Sequence, residues 1–256
     1  MTGETADSPD FTADDFLGGR LSVVQPRKGH RSGIEAVLIA AMAPLMPGET
    51  LIDIGSGVGV AGLCALCRVP DTRAVLVEAD PATGGLARDN LKRNGFGDRA
   101  GVVVADVTVR GAVRRAGLTA VADHAVANPP FYDPASSRTS PAKAAAHAAP
   151  DADLDAWLRF AAAAVKPGGS LTLVHRAAAL AMVLEAFGKR FGGAVVLPVH
   201  PRPGEAATRI VVQGRKGSRA PLAIRPGLVL HGARGHGFRA EVEAVLRRGA
   251  AFDLSS

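Results

Sequence analysis

The sequence predicts an α/β fold on a mostly parallel, doubly wound sheet, and three observations carry that prediction. Apolar runs of strand length alternate with helical stretches through the middle of the chain. The runs are continuously apolar rather than alternating, as strands covered by helices on both faces must be. Successive runs are also separated by stretches long enough for a crossover helix, which makes neighbouring strands parallel and the crossovers right-handed.

The elements follow in order. Residues 1–19 carry five acids and no base, and are expected to form an acidic, disordered tail. Leu21–Gln25 reads as a short strand at one end of the sheet. Ser32–Ala43 reads as a helix with Ser32 as its N-cap, ended by Pro44. Strands are then expected at Thr50–Ile54, Ala74–Glu78, Gly101–Ala105, His124–Ala127 and Ser170–Val174, with helices over 58–68, 81–94 and 151–165 among the segments between. After residue 190 come two β-rich runs, Gly193–His200 and Arg209–Gln213. Pro201-Arg-Pro-Gly-Glu205 between them is too short for a crossover helix, so this pair should be an antiparallel hairpin at the C-terminal end of a seven-stranded sheet. Residues 20–215 are thus read as one domain. Residues 216–256, with a strand-like Leu228–His231 and a short helix at Ala240–Arg247, are read as a basic appendage.

Composition excludes several classes. The chain has 256 residues, 47% hydrophobic and 21% charged, a balance that supports a packed core and rules out wholesale disorder. Its two cysteines, Cys64 and Cys67, cannot build a disulfide framework or a four-cysteine zinc site, and their C-x-x-C falls in a helical apolar run, as small residues near a core do. No metal-ligand spacing is present, and no metal is expected. No run of 18 apolar residues exists, and the N-terminus lacks the basic and apolar regions of a signal peptide, so a cytoplasmic protein is expected. The net charge of +6 is uneven: from Arg202 to Arg248, ten Lys/Arg stand against three Glu, or +7. Arg27-Lys28-Gly-His30-Arg31 forms a second basic cluster. Charge gathered in this way fits a polyanionic partner.

Two motifs carry the chemistry. Leu51-Ile-Asp53-Ile-Gly55-Ser-Gly57-Val-Gly59 ends one predicted strand and opens a helix. Its glycines permit a tight turn and a close approach of ligand to backbone. The spacing differs from the G-x-G-x-x-G of dinucleotide sites. Asp53, two residues ahead of the first glycine, would repel a pyrophosphate but suits a ligand bearing an ammonium group. Glu78, ending the second strand of that unit, can accept from both hydroxyls of a ribose. Asp106, after the third, can accept from an adenine amino group.

Asn128-Pro129-Pro130-Phe131 follows the next strand, beside the crevice where the strand order should reverse. Two prolines remove two N–H donors and leave carbonyls as the available backbone groups. The Asn128 side chain adds a further acceptor. Two converging acceptors can take both hydrogens of a planar –NH2 and turn its lone pair toward an electrophilic methyl. Phe131 can stack on the ring that bears the amine.

The combination resembles the amino-directed class I S-adenosylmethionine (SAM) methyltransferases. More narrowly, it is similar to the bacterial tRNA(Val) adenine-N6 methyltransferases. The similarity runs over nearly the whole chain, through Phe16-Leu-Gly-Gly-Arg-Leu, Gln25-Pro-Arg-Lys-Gly-His-Arg31-Ser-Gly-Ile-Glu35, both motifs, Trp157-Leu, Leu-Thr-Leu-Val-His175-Arg, Arg215-Lys-Gly-Ser-Arg-Ala-Pro-Leu and Leu228-Val-Leu-His. The family often has Asp where this chain has Glu35, and Tyr where it has Phe131.

The resemblance implies a Rossmann-like methyltransferase fold with SAM as methyl donor. It implies that Arg31 and Ser32 line the cofactor pocket, with Arg31 on the methionine carboxylate. It implies a tRNA substrate methylated at the adenine 3′ of the anticodon, with Arg27, Lys28, Arg215, Lys216 and Arg219 gripping phosphates. Two alternatives share the Asn-Pro-Pro-aromatic motif: guanine-amino methylation of rRNA, and methylation of a glutamine amide in release factors.

Overall fold

The computed structural model describes residues 10–29, 31–130 and 154–254; the expectations for Phe131 and for the start of the 151–165 helix lie outside them. The N-terminal strands β1 (Phe11–Phe16) and β2 (Leu21–Pro26) precede α1 (Ile34–Met42). Then come β3 (Thr50–Ile54), α2 (Val60–Arg68), β4 (Arg73–Glu78), α3 (Pro81–Arg93), β5 (Ala100–Val104), α4 (Ala112–Arg115) and β6 (Ala122–Ala127). The second half holds α5 (Leu154–Ala164), β7 (Val165–Arg176), α6 (Leu180–Gly188), β8 (Phe191–His200), β9 (Arg209–Lys216), β10 (Ala223–Ile224), β11 (Leu228–Val229) and α7 (Ala240–Arg248).

The main sheet runs β10-β8-β9-β7-β6-β3-β4-β5, with β11 also paired to β8. Strands β3 to β7 are parallel to their neighbours, whereas β9 lies antiparallel between β7 and β8. The strand order reverses at β3, which has β4 on one side and β6 on the other, so the crevice above their C-terminal ends is open for a ligand. Continuous apolar runs feed two cores, one on each face. Leu51, Leu76, Val126 and Val174 pack with α1 and α2, and Ile52, Val77, Ala127 and Leu173 pack with α5 and α6. Among the described residues no helix is long and apolar enough to cross a membrane.

Four expectations are corrected. The sheet has nine strands rather than seven, because β10 and β11 pair parallel with β8 beyond the expected hairpin. Leu21–Gln25 does not join that sheet. It pairs with Phe11–Phe16 in a separate antiparallel hairpin, so the acidic tail is ordered well before residue 19. Ser32 is not the N-cap of α1: Gly33 holds that position with no side-chain cap, and the Ser32 N–H donates to Gln25 Oε1 at 2.9 Å.

The C-terminal segment, finally, is part of the core rather than an appendage. Val242 and Val245 of α7 are buried with Val37, Ala40 and Ala41 of α1. The Phe252 N–H donates to Ala41 O at 3.0 Å, and the Arg20 guanidinium donates to Arg248 O at 3.1 Å. The helix α7 therefore packs against α1 and is tied by Arg20 to the N-terminal hairpin.

Candidate active site

The C-terminal ends of β3, β4, β5 and β6 bring Asp53, Glu78, Asp106 and Asn128 to the rim of one cleft of about 350 Å³. That volume is in the range of small-molecule sites. Apolar side chains, Ile39, Val77, Val107 and Trp157, line much of it.

The glycine turn is shaped as the motif requires. Gly55, Gly57 and Gly59 all have positive φ, of 67°, 55° and 95°, a region that side-chain-bearing residues populate only at a cost. Sterics add to this at two of them. A Cβ on Gly55 would collide with the Trp157 indole, and one on Gly59 would sit 2.7 Å from a Leu76 methyl. Gly59 caps α2 from outside the cleft, while Gly55 and Gly57 line it.

Two acids brace this turn. Asp53 is buried, and its Oδ2 accepts from the Gly62 N–H in the first turn of α2 at 2.9 Å. Burial pushes its carboxyl up to about 7, with the nearby Glu78 charge acting in the same direction and the Gly62 bond opposing both. Glu78 Oε2 accepts from the Gly57 N–H at 2.9 Å, and its Oε1 from the Asp80 N–H at 3.0 Å. Each carboxylate oxygen has a second lone pair for a ligand donor. Asp106 Oδ1 accepts from the Thr108 N–H and Oγ1 at 2.8 and 2.6 Å, an Asx turn that fixes the side chain at the rim.

Asn128 is half-buried and Pro130 exposed, and both line the cleft; Pro129 is buried between them. Phe131 lies outside the described residues. Ser32 lines the cleft from the start of α1. Arg31 does not: its guanidinium binds Asp14, Thr12 Oγ1 and Pro26 O on the N-terminal hairpin, where its charge is met by a carboxylate. The expected contact of Arg31 with a methionine carboxylate therefore has no support in its placement.

Arg27 and Lys28 are exposed just before α1. Arg215, Lys216 and Arg219 lie elsewhere. Arg215 pairs in register with Ser170, at the start of the apolar stretch of β7, and so at the sheet edge opposite Asn128. Lys216 turns inward and donates to Ala162 O and Val165 O at 2.6 and 2.7 Å, closing the end of α5. Cys64 is buried on α2 and its thiol is pushed up by burial, so it stays protonated and inert.

Sequence reasoning gave Trp157 no role. Trp157-Leu enters the sequence reading only as part of the resemblance, whereas the position of Trp157 over Gly55 is a tertiary fact. Ile39 was missed for the same reason.

Chemically, three carboxylates on one rim disfavour a phosphorylated ligand and favour one with ammonium, hydroxyl and amine donors. Beyond them sits Asn128, an uncharged acceptor. Among the described residues the cleft lining holds no His, Lys or Cys; its titratable groups are the three carboxylates.

Comparison with known proteins agrees with this geometry. A family model described as "methyltransferase small domain" matches residues 34–194. A tRNA1(Val) (adenine(37)-N6)-methyltransferase of Pectobacterium carotovorum is 30% identical over 123 residues, 47% of this chain and 48% of that protein. One of Serratia proteamaculans is 30% identical over 160 residues, 62% of this chain and 60% of that protein. The chain thus spans about half the length of the curated relatives it matches. The crystal structure of a predicted O-methyltransferase, protein Atu636 of Agrobacterium tumefaciens, superposes with a TM-score of 0.73 at 32% identity, covering 85% of this chain and 98% of that one. TYW2 of P. horikoshii, solved in complex with MeSAdo, shares the fold with a TM-score of 0.53 at 12% identity, over 82% of this chain and 73% of that one.

Proposed function

The chain belongs to the methyltransferase small domain family, and from that premise we propose that it moves a methyl group from SAM to the N6 amine of an adenine in RNA, the adenine 3′ of the anticodon of a valine tRNA. The observation that carries this reading is the rim itself, three carboxylates leading to Asn128 at the end of β6.

The donor set fits SAM. Asp53, buried and raised to about 7, gains from a cationic ammonium beside it. Glu78 accepts from the ribose hydroxyls while holding the Gly57 N–H. Asp106 accepts from the adenine amine. Ser32 and Trp157 close the walls, and Gly55 and Gly57 let the turn pass close to the ligand. When bound, SAM supplies an electrophilic methyl on a sulfonium.

The acceptor side belongs to Asn128-Pro129. Asn128 Oδ1 and the Pro129 carbonyl take the two N–H bonds of the target amine, which draws the nitrogen lone pair out of the ring. The new N–C bond forms as the C–S bond breaks, and the alkylated nitrogen then gives up one proton to water. An amine has two hydrogens for the two acceptors, Asn128 Oδ1 and the Pro129 carbonyl, and a hydroxyl only one, so the pair suits an amine better than the oxygen acceptor in the name of the A. tumefaciens protein. A base in a loop is already unpaired and costs less to extrude than one in a duplex. The names of the curated relatives support tRNA as the substrate.

The test is to incubate the protein and SAM with tRNA from a strain lacking this activity, then map the product nucleoside by mass spectrometry. N6-methyladenosine in valine tRNA is expected. A methylated guanine amine, or label transferred to a release factor and not to tRNA, would overturn the assignment.

A further inference from the structure

The polarity of β9 decides which basic residues share an edge with Asn128. Ala127, the last residue of β6, pairs with Leu173 of β7, and three residues on Arg176 pairs with Arg209 of β9. Arg209 in turn pairs with Val199 of β8, and Val229 of β11 pairs with His200. The start of β9, the end of β8 and the end of β11 therefore stand on the same rim as Asn128. Arg215 is six residues further along β9, about 20 Å away at ~3.3 Å per residue, on the opposite edge. The run expected to grip RNA thus faces away from the acceptor site.

What occupies the near rim is a different piece of the basic C-terminal segment. Leu230 N–H donates to His200 O at 2.9 Å and His231 N–H to Pro201 O at 3.0 Å, which seats the following loop on the rim. His231 stacks on Phe238, ring centroids 4.6 Å apart, and closes that loop at its base. Its body, Ala233-Arg-Gly-His236-Gly, is exposed. Arg202 fastens it from below, donating to Gly232 O and Gly235 O at 2.9 and 2.8 Å. Carbonyls are neutral, so Arg202 keeps its full charge.

Three other cations on the rim are offset by acids: Arg31 by Asp14, Arg209 by Glu35, and Arg239 by Glu241. On the far side of the cleft Arg27 and Lys28 are exposed, four to five residues before Ser32, which lines it. That separation is at most about 18 Å of chain. Outside the cleft and its three carboxylates, counting Asp10 and Glu205 against Arg27, Lys28, Arg202 and Arg234 leaves +2 on the two flanks before His236 is added. From β6 to β11 are four strand steps, about 19 Å at ~4.8 Å each. That span matches roughly six nucleotides of a stacked strand.

We propose that the RNA lies across this rim, its phosphates held by Arg27 and Lys28 on one side of the cleft and by the Arg202-fastened loop with Arg234 and His236 on the other, with the target base entering between them at Asn128. This rests on the reading of the chain as an RNA methyltransferase, and it replaces Arg215, Lys216 and Arg219 as the footprint.

The test compares two double variants of full-length protein, Lys28→Ala/Arg234→Ala and Arg215→Ala/Arg219→Ala, binding a valine tRNA transcript across about 50–200 mM salt. Each lost single-strand phosphate contact should reduce the slope of log affinity against log salt by ~0.7, which is about fivefold in affinity at ~0.1 M salt. Lys28→Ala/Arg234→Ala should therefore weaken tRNA binding about 25-fold and flatten the slope by ~1.4, with SAM affinity unchanged by calorimetry. Arg215→Ala/Arg219→Ala should match wild type in slope and affinity. A reversed pattern, or equal losses in both, overturns the footprint and leaves the enzymatic reading intact. Wild-type protein that binds no tRNA, with or without SAM, overturns both together.

Discussion

Asn128 and Asp53 make opposite kinds of contribution, and mutation separates them. In the proposed reaction the Asn128 bond to the acceptor amine strengthens as that nitrogen gains positive charge, so it acts on the transition state. Asn128→Ala should lower the single-turnover methylation rate at least ~100-fold, a loss of about 2.7 kcal/mol, with SAM and tRNA dissociation constants near wild type. Transfer at the wild-type rate would reduce the Asn-Pro-Pro segment to a turn. Asp53 acts on binding, and through a proton. Its carboxyl is raised by burial to about 7, so below that pH the cationic ligand must expel the proton. SAM affinity should rise with pH, up to tenfold per unit, until about 7, then level off before the ligand's own α-amino group titrates near ~7.7–8.0. The folding linkage runs the other way. A raised carboxyl stabilises the fold at low pH, and that contribution is lost as pH climbs from about 4 through about 7. Asp53→Asn can still accept from Gly62 and carries no buried charge. It should raise the Tm at pH 8, weaken SAM binding and remove the pH dependence of that binding. An unchanged pH profile of affinity in Asp53→Asn would take Asp53 out of the ligand's reach.

At the scale of elements, the N-terminal hairpin holds one wall of the cleft. Gln25 of β2 is buried; its Oε1 accepts from the Ser32 N–H at 2.9 Å and its Nε2 donates to Asp14 of β1 at 3.0 Å. Ser32 lines the cleft, so its position is set through Gln25. Gln25→Leu leaves the Ser32 N–H without its acceptor, at about 1–3 kcal/mol. It should weaken SAM binding roughly tenfold in calorimetry, and unaltered affinity would show that the hairpin does not position Ser32. Nothing in the sequence announced this arrangement. The parallel strands β3 to β7 were legible because burial on both faces demands unbroken apolar runs, and the glycine turn because its backbone tolerates few other residues. Strand β1 was not, since Phe11-Thr-Ala-Asp-Asp-Phe16 carries acids whose cost is offset by Arg31, a partner distant in sequence. Trp157 was unread because a single aromatic on a helix says nothing of the glycine it will cover. The direction in which β9 presents its basic residues was beyond sequence patterning, because alternation fixes which face a side chain takes and not which edge of the sheet it reaches.

The whole molecule is closed by its last helix. Val242, Val245 and Leu254 are 0%, 2% and 3% exposed against α1 and its neighbours. At about 1.5–3 kcal/mol each, they contribute on the order of 5–9 kcal/mol, a large share of the ~5–15 kcal/mol that holds a domain together. A chain ended at Arg239 should melt about 10–20 °C lower, or more, by circular dichroism, and should lose SAM binding along with any RNA contact. A truncation that keeps the full Tm and loses only RNA binding would restore the picture of a detachable tail. The packing of α7 on α1 also sets an order of events during synthesis. Helix α1 leaves the ribosome about 200 residues before α7, a gap of roughly 10–40 s at ~5–20 residues per second. Through that interval the face of α1 that will receive Val242 and Val245 is bare. The nascent chain must travel with an open apolar flank that chaperones can read, and that flank is covered only once α7 has been translated.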